Sequence, residues 1–359
     1  MKIKYILLFI AAPLFYSCNQ SDVGIFYGLE NEVKITDNSL SNNLTIGSMA
    51  KSPAGELYIA AGRVYTKTSG SSEDWRKVST PSGYDLSTSL AVNTTDSNIY
   101  AIFYDTDSAD TALFKMPDGG SWTEVTDPVF EGSFEYVKSA NGYILVSTRI
   151  DENSARLYYL NGGAFSEAAV VTMTGSDFYV IHDGTDFWVS NSNILYQGNN
   201  LNVLTDALTL DSTVEIKGLS ESSGAYIYLS CWDRENRDGY LMATDGNNGT
   251  LDEESDDKKT YKLFNLTTFR AEGYDFLLCG TNGLGYRQIL SPSSSNLDLD
   301  TPDDDVLSEN YTSAIDLQNC AVIDFFVDGG EDGDLYALTA TTGLWKNSLS
   351  GGTRVWSIE

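Results

Sequence analysis

His182 is the only histidine in the 359-residue chain, and its imidazole is the side chain best suited to act as a general base near neutral pH. It stands in the stretch YVIHDGTDF, where the Asp, Gly and Thr that follow it are typical of a turn between two strands. A serine hydrolase would add a nucleophile motif such as Gly-x-Ser-x-Gly, which the sequence lacks. We therefore predict that His182 is a turn residue, and we assign no catalytic residue.

The acidic side chains could hold a cation or form an acid–base pair. Asp and Glu number 51, so carboxylates close in sequence are expected from composition alone. Two segments are rich enough in acid to take calcium, DGGEDGDLY at 328–336 and DLDTPDDDV at 298–306. Neither has the alternating ligands and distal glutamate of an EF-hand. We predict no metal and no cofactor, with calcium at these segments as the alternative.

Three cysteines follow the leader, Cys231, Cys279 and Cys320, and their spacing fits no zinc site. Because three is an odd number, they cannot form a closed set of disulfides. We expect each to be a small buried apolar side chain, and the sequence leaves open whether one pair is oxidised.

The net charge limits the partners that the protein can bind. With 51 acidic and 22 basic residues the chain carries a formal charge of −29, which would repel a nucleic-acid backbone and an anionic lipid surface. An apolar content of 42% supplies a core and argues against disorder. We expect most acidic side chains to lie on a solvated surface.

Short segments of alternating polarity, bounded by Gly, Asn, Asp and Ser, must position these side chains. After residue 20 no stretch keeps a 3.6-residue apolar period, so strands are predicted throughout. Seven segments align on Tyr58, Tyr100, Ile144, Trp188, Tyr228, Leu277 and Tyr336. The steps between them are 42, 44, 44, 40, 49 and 59 residues, and the two longest contain the acidic stretches 251–259 and 298–306.

A period of 40–45 residues with room for four short strands is typical of a β-propeller blade. We therefore predict an all-β, seven-bladed β-propeller over residues 44–359. Residues 24–37 also have the pattern of a strand pair, so eight blades, one of them split between the N-terminal hairpin and the C-terminus, is the alternative.

Two stretches, LFKMPDGGSWTEV at 113–125 and GLWKNSLSGGTRVW at 343–356, resemble BNR or Asp-box propeller repeats, with Asp118, Gly120 and Trp122 in the box turn. The resemblance implies the fold, and because the box is a structural turn it implies no activity. Sialidases with such repeats use three arginines around a substrate carboxylate, a tyrosine nucleophile and an acidic pair, and they have a Phe/Tyr-Arg-Ile-Pro motif on the first blade. The nearest match here is Arg270 in the sixth repeat. We therefore predict that the protein is not an enzyme.

The connections between the second and third strands differ among the repeats. They are longer and charged in repeats 2, 3 and 5, at 104–110, 150–155 and 232–239. In a propeller these connections share one face, and aromatic side chains with arginine are favoured in protein-binding surfaces. We predict a partner-binding rim formed by Trp232, Arg234, Arg237, Asp105, Asp107, Asp151 and Glu152.

The first eighteen residues, MKIKYILLFIAAPLFYSC, have the layout of an export signal. Lys2 and Lys4 precede an apolar run of about half the roughly 20 residues that a membrane-spanning helix needs. The arrangement resembles a bacterial lipoprotein signal, although Phe15 and Tyr16 depart from the usual lipobox. The resemblance implies removal of residues 1–17 and acylation of Cys18, which would hold the protein on a membrane. Residues 18–43 would then form a tether and β-hairpin.

Together these observations predict a monomeric lipoprotein of the cell envelope, anchored through Cys18, with the outer membrane as the expected location. We expect a binding or scaffold module for a protein or glycan ligand of the envelope. A carbohydrate-active enzyme, either a glycoside hydrolase or a lyase, and an envelope assembly factor are the alternatives.

Overall fold

The computed structural model describes residues 40, 43–169, 173–221, 226–245, 253–254, 258–293, 296–300 and 314–359. The predicted leader, and the tether and hairpin apart from residues 40 and 43, lie outside this part of the chain. The described residues from 40 onward belong to one compact unit, Asn38–Glu359. They form seven antiparallel sheets and one helical turn, α1 (Ile315–Gln318).

Each sheet is built from consecutive strands, in the order of the sequence. The first three sheets contain β1 (Ser48–Lys51), β2 (Glu56–Ala60), β3 (Val64–Thr68) and β4 (Arg76–Lys77); β5 (Leu86–Val92), β6 (Asn98–Tyr104), β7 (Thr111–Pro117) and β8 (Thr123–Glu124); and β9 (Ser133–Ala140), β10 (Tyr143–Asp151), β11 (Ser154–Asn161) and β12 (Ala164–Glu167). The fourth and fifth contain β13 (Tyr179–His182), β14 (Phe187–Asn191), β15 (Ile194–Gly198) and β16 (Thr205–Thr209); and β17 (Val214–Glu221), β18 (Ile227–Asp233), β19 (Asp238–Thr244) and β20 (Glu253–Glu254). The last two contain β21 (Leu263–Ala271), β22 (Tyr274–Thr281) and β23 (Tyr286–Leu290); and β24 (Val322–Asp328), β25 (Asp334–Thr339), β26 (Leu344–Ser350) and β27 (Thr353–Ile358).

The seven sheets close into a ring, which makes the fold a seven-bladed β-propeller. The first strand of each sheet contacts the first strands of both neighbouring sheets, and β24 of the seventh sheet contacts β1 of the first. These inner strands, β1, β5, β9, β13, β17, β21 and β24, therefore surround the central channel. We call the face that carries the connections between second and third strands the upper face; the inner strands also begin there.

The apolar core lies between blades rather than within them. Six clusters of buried side chains each combine residues from two consecutive sheets. The aligned residues of the repeats are buried in these layers, for example Tyr58, Trp188 and Tyr336 at 2%, 2% and 1% exposure. A single sheet could not cover both of its apolar faces, so the ring is what stabilises the repeats.

Hydrogen bonds and ion pairs close the seam between the first and last blades. The backbone N–H of Ile46 donates to the carbonyl of Thr339 at 2.9 Å. Asp328 accepts from Lys51 Nζ at 2.5 Å and from the Ser69 hydroxyl at 2.5 Å. The seventh blade takes all four of its strands from residues 322–358, so seven blades, and not eight, describe the ring.

Five of the inner strands contain a β-bulge near their upper ends. The register against the second strand shifts at Thr88, at Glu135, at Lys217, between Leu263 and Leu266, and at Ile323. A bulge adds one residue to one strand and turns the side chains around it toward a new direction. The upper channel is therefore the part of the propeller that departs most from regular alternation.

Asp118 and Trp122, which carry the resemblance to Asp-box repeats, stabilise the second blade and its contact with the first. The Asp118 carboxylate accepts from the Tyr58 hydroxyl at 2.5 Å and from the Ser52 hydroxyl at 2.6 Å, both in the first blade. The Trp122 ring packs edge-on against Phe103, with 4.9 Å between ring centroids. These contacts support a structural role for the turn.

The structure answers the question left open for the cysteines. Cys231, Cys279 and Cys320 are buried free thiols, as expected for small apolar side chains. Burial raises the pKa of the Cys320 thiol, so it stays protonated. In the described part of the chain no helix is long and apolar enough to span a membrane.

Candidate functional site

Four polar side chains from four blades meet in the upper half of the channel. They are Lys138 in β9, Tyr179 in β13, Asn265 in β21 and Asp324 in β24, and we call them the channel group. Each is partly exposed. Inner strands of a propeller otherwise carry small or apolar side chains toward their neighbours, so charged groups here call for an explanation.

The channel group is held in two contacting pairs. Lys138 Nζ lies 4.1 Å from the centroid of the Tyr179 ring, within range of a cation–π interaction. Asn265 Nδ2 donates to Asp324 Oδ1 at 2.6 Å, while Asn265 Oδ1 accepts from the backbone N–H of Leu219 at 3.3 Å. Both ends of the Asn265 amide are thus engaged, and this side chain connects the fifth, sixth and seventh blades.

Tyr179 and Asp324 lie at the same height in the ring. Tyr179 pairs with Ser190 on its second strand, and Asp324 pairs with Leu338 on its own. Ser190 lies two residues after Trp188, and Leu338 lies two residues after Tyr336, which are the aligned residues of the two repeats. Equal register in equivalent strands places the phenol and the carboxyl at one level of the channel.

The pKa of Asp324 depends first on burial and then on a charge from across the channel. Burial raises the pKa of its carboxyl above the usual range, and the positive charge of Lys138 and the hydrogen bond from Asn265 offset this only in part. Lys138 belongs to the third sheet and Asp324 to the seventh, which are not neighbours, so their interaction crosses the open centre of the ring. Asp324 therefore keeps its proton to a higher pH than a surface carboxyl does.

A second carboxyl, that of Asp177, contacts Tyr179. The Tyr179 hydroxyl donates to Asp177 Oδ2 at 3.5 Å, and the pKa of the phenol is raised by burial and then by the negative charges of Asp177 and Asp324. Asp177 precedes β13 at the upper mouth of the channel. The phenol thus interacts with two carboxyl groups, one at the mouth and one in β24.

Four charged side chains of the fifth and sixth blades form a further cluster at the upper mouth, which we call the cationic arc. Glu215 Oε2 pairs with Lys217 Nζ at 2.8 Å, and Glu215 Oε1 with Arg234 Nη1 at 3.5 Å. Lys262, immediately before β21, interacts electrostatically with Lys217, Glu215 and Asp177. Burial, followed by the like charge of Lys217, lowers the pKa of the Lys262 ammonium.

Two of the predicted rim residues, Asp105 and Asp151, form hydrogen bonds within their own turns. Asp105 directly follows β6 and Asp151 ends β10, and their carboxylates accept from the backbone N–H of Asp107 at 3.0 Å and of Asn153 at 2.8 Å in their own turns. Hydrogen bonds lower the pKa of both carboxyls. These two side chains therefore have a turn-forming role, as in an Asx-turn, which the sequence analysis did not recognise.

One of the predicted long connections is a tight turn. In the third blade, β10 and β11 extend through most of 150–155 and leave a two-residue turn at Glu152 and Asn153. The blade is distinguished by longer strands rather than by a longer loop. The connection at 105–110 in the second blade is extended as predicted, while 234–237 in the fifth is no longer than 282–285 in the sixth.

In the fifth blade the predicted rim joins the channel mouth. Arg234 Nη2 donates to the carbonyl of Ser212 at 2.7 Å in addition to its ion pair with Glu215. Trp232 pairs with Glu215 in the sheet register and is partly exposed. Arg237 occupies the left-handed region, with φ of 60°, in the same turn. The blade-five rim and the cationic arc thus form one continuous surface through Glu215.

His182 lies at the end of β13, on the lower side, where its Nδ1 accepts from the backbone N–H of Gly184 at 3.1 Å. The imidazole therefore helps to form the turn, as predicted. Among the residues with described side chains, no cluster of three His, Cys, Asp or Glu has the arrangement of a metal site. Most of the acidic segment 298–306 lies outside the described residues.

The channel group was not predicted from the sequence, although the sequence contains a signal for it. Lys138 stands in FEYVKSA and Asp324 in AVIDFFVDG, each a charged residue within an otherwise mostly apolar first strand. A charge at such a position is unusual in a strand packed on both faces. Read against the repeat alignment, these departures would have pointed to the channel.

Comparison with solved structures supports the propeller fold. The chain is similar to the GH74 xyloglucanase from Xanthomonas campestris, with a TM-score of 0.61, 13% identity and coverage of 89% of this chain and 55% of that one. It is also similar to the extracellular domain assigned to a hybrid two-component system of B. thetaiotaomicron, with a TM-score of 0.56, 11% identity and coverage of 87% and 40%. The WD40 β-propeller domain of Doa1 aligns with a TM-score of 0.52 and 12% identity, over 89% of this chain and 96% of that one.

These likenesses show the fold alone. No family model matches the sequence, and no curated protein matches it either. The chain spans about half the length of the xyloglucanase and less of the two-component protein. A function must therefore be argued from the site.

Proposed function

We propose that this protein is a lipid-anchored binding module of the cell envelope whose ligand is recognised at the upper mouth of the propeller channel. The observation that carries the proposal is the channel group, in which Lys138, Tyr179, Asn265 and Asp324 converge from four blades. The blade-five rim, with Trp232, Arg234 and Arg237, would supply the outer part of the contact surface.

The chemistry of the channel group supports ligand binding over a purely structural role. Three of the four side chains carry charge or a titratable hydroxyl that is only partly buried, and desolvating such groups without a ligand costs stability. Asp324 is held at a raised pKa by its position, which is common at functional sites. Ligand sites in folded domains typically combine aromatic rings with a few convergent polar groups.

Capture from solubilised envelopes tests this proposal. The mature full chain would be compared with a channel variant, Lys138→Met with Asp324→Asn, and with a rim variant, Trp232→Ala with Arg234→Ala and Arg237→Ala. Lys115→Met, on an exposed side chain of β7, serves as the control. We expect the channel variant to lose the captured ligand and the rim variant to weaken it. Equal capture by a folded channel variant would contradict the proposal.

The anchor rests on the leader sequence and is tested separately. Cells grown with an alkyne fatty acid should label the wild-type chain, and Cys18→Ser should abolish the label and release the protein from the membrane fraction. Label that persists in Cys18→Ser would show that the thiol is not the acceptor.

A glycoside hydrolase is the second candidate, because two carboxyl groups, Asp177 and Asp324, interact with Tyr179 and burial raises the pKa of Asp324. Two carboxyl groups in unlike surroundings are the arrangement that an acid–base pair requires. The similarity to a xyloglucanase shows only that such a fold can support this chemistry in that protein. Release of reducing ends from a panel of neutral and acidic polysaccharides, lost in Asp324→Asn and Asp177→Asn, would favour the enzyme over the binding module.

A further inference from the structure

The cationic arc is an exception in a strongly acidic molecule. The chain has more than twice as many acidic as basic residues, yet Lys217, Arg234 and Lys262 gather at one point of the channel mouth. Among the described residues, two carboxylates interact with them, Glu215 and Asp177. Three positive groups against two negative ones leave one positive charge.

Lys262 is the cation of the arc without a close carboxylate among the described residues. Glu215 forms ion pairs with Lys217 and Arg234, whereas among the described residues no carboxylate lies within ion-pairing distance of Lys262 Nζ. Its ammonium lies 6.0 Å from the centroid of the Phe264 ring. A partly buried ammonium is less well hydrated than one on the surface, and that of Lys262 has no anion at contact distance among the described residues. An incoming anion would therefore be bound strongly.

The balance of charges selects the kind of anion. A single carboxylate would neutralise the one remaining positive charge. A phosphate dianion would bring excess negative charge close to Glu215 and Asp177, and like charges at short range are unfavourable. The site therefore matches a monoanion.

The surroundings favour a sugar as the carrier of that carboxylate. The partly exposed Phe264 ring offers an apolar surface to the C–H face of a sugar ring. Asp177 and Asp324 can accept hydrogen bonds from hydroxyl groups, whereas Tyr179 can both donate and accept them. An extended peptide could instead pair with the open edge that each inner strand leaves toward the channel, so the test compares a peptide with the sugar.

We propose that Lys217 and Lys262 bind the carboxylate of an acidic sugar, such as a uronic acid, at the channel mouth. This inference rests on the proposed binding function and specifies its ligand class. Lys262 contacts the carboxylate directly, Lys217 shares it with Glu215, and the sugar ring lies against Phe264 toward the channel group.

Calorimetric titration of the full chain in detergent tests the inference. The probes are a trigalacturonate, the same trisaccharide with its carboxylates methyl-esterified, and a short peptide with a free C-terminal carboxylate. We expect the acid to bind at least about tenfold more tightly than the ester, since charge-assisted hydrogen bonds contribute roughly this much. The peptide should bind more weakly than the acid.

Variants assign the site. Lys262→Met and Lys217→Met keep side-chain length and remove the charge, and each should weaken trigalacturonate binding about tenfold or more. Lys262→Arg should retain most of the affinity, and Lys115→Met should leave it unchanged. Far-ultraviolet circular dichroism and thermal melting confirm that each variant folds.

The outcomes separate this inference from the proposed function. Equal binding of acid and ester, unchanged binding by Lys262→Met, or preference for the peptide would overturn the acidic-sugar assignment. An envelope ligand could still be captured by the wild type and lost by the channel variant. In that case the proposed binding function would be supported and only the assigned ligand class would be wrong. Loss of that dependence would contradict the proposed function itself.

Discussion

At the residue scale, the propeller contains ionisable side chains in positions that cost stability. Asp324 shares the channel with Lys138 and Asn265, and burial still dominates its titration. Such a group is expected where function, and not folding, has selected the residue. Its cost can be measured through the pH dependence of unfolding.

For Asp324 the sign of that dependence follows from the raised pKa. A carboxyl that binds its proton more tightly in the folded than in the unfolded state destabilises the fold once pH rises above the ordinary carboxyl pKa. We expect Asp324→Asn to raise the free energy of unfolding at pH 7–8, with the difference vanishing below the usual pKa of Asp, where both forms are neutral. Denaturant titrations over pH 3–8 measure this. A variant that is less stable at pH 7–8 would show that the carboxylate is a structural anion.

Arg354 is the opposite case, a buried charge with a structural role. Its guanidinium is fully buried, donates to Asn347 Oδ1 at 3.0 Å and to the Gly333 carbonyl at 2.9 Å, and lies 4.8 Å from the centroid of the Phe269 ring in the preceding blade. Arg354→Ala would leave these acceptors unsatisfied and open a cavity. We expect a loss of about 3 kcal/mol or more in the free energy of unfolding, measured in urea.

The exposed Arg76 is the matched control for Arg354. Its guanidinium lies 4.0 Å from Glu56 with 61% of the side chain exposed, so Arg76→Ala should change stability by no more than about 0.5 kcal/mol. Similar losses in the two variants would mean that the buried network contributes little.

At the scale of elements, the ring depends on how its two ends meet. The first and last blades are joined by Asp328, which accepts from Lys51 and Ser69, and by Glu359, whose carboxylate lies 2.6 Å from Lys67 Nζ. The described strands of the seventh blade come from one continuous stretch of chain, so side chains carry much of the closure. Single substitutions of these side chains are therefore expected to weaken the closure.

Asp328→Ala should therefore open the seam selectively. The Asp328 side chain is 3% exposed, and removing it leaves Lys51 without its anion, for a loss of about 3 kcal/mol. Hydrogen exchange of the Ile46 amide, which bonds to Thr339 across the seam, should accelerate. Asp334→Ala removes an ion pair with Lys346 inside the same blade and should cost about 1 kcal/mol or less without affecting that amide. Equal protection of Ile46 in both variants would contradict this account.

The strands were predictable because their pattern repeats. Aligned residues such as Tyr58, Trp188 and Tyr336 are buried at one register position in each sheet, so the period in sequence reflects a period in space. The bulges were not predictable from the sequence. A single added residue shifts which side chains of the strand face the channel, but it hardly changes the amino-acid composition of that strand. Lys217, the extra residue in β17, is an example.

At the scale of the whole molecule, the fold was predicted and the site was only partly predicted. The rim in the fifth blade, including Arg234, lies beside the channel mouth, while Asp105 and Asp151 serve their own turns. Lys138 and Asp324 are 186 residues apart in sequence and meet only because the ring brings the third and seventh blades to one centre. A charge in an apolar first strand can mark a residue that faces the channel, but the pattern within one repeat does not show which residue of another blade it contacts.

Site-specific photo-cross-linking in intact envelopes is the most direct test of whether the ligand is recognised at the upper mouth of the channel. A benzophenone amino acid would replace Phe264, near the upper end of β21, or Glu221, at the lower end of β17. The account predicts an ultraviolet-dependent adduct from position 264 that disappears in the Lys138→Met and Asp324→Asn variant, and none from position 221. An adduct from position 221 alone, or one from position 264 that survives the channel substitutions, would contradict it.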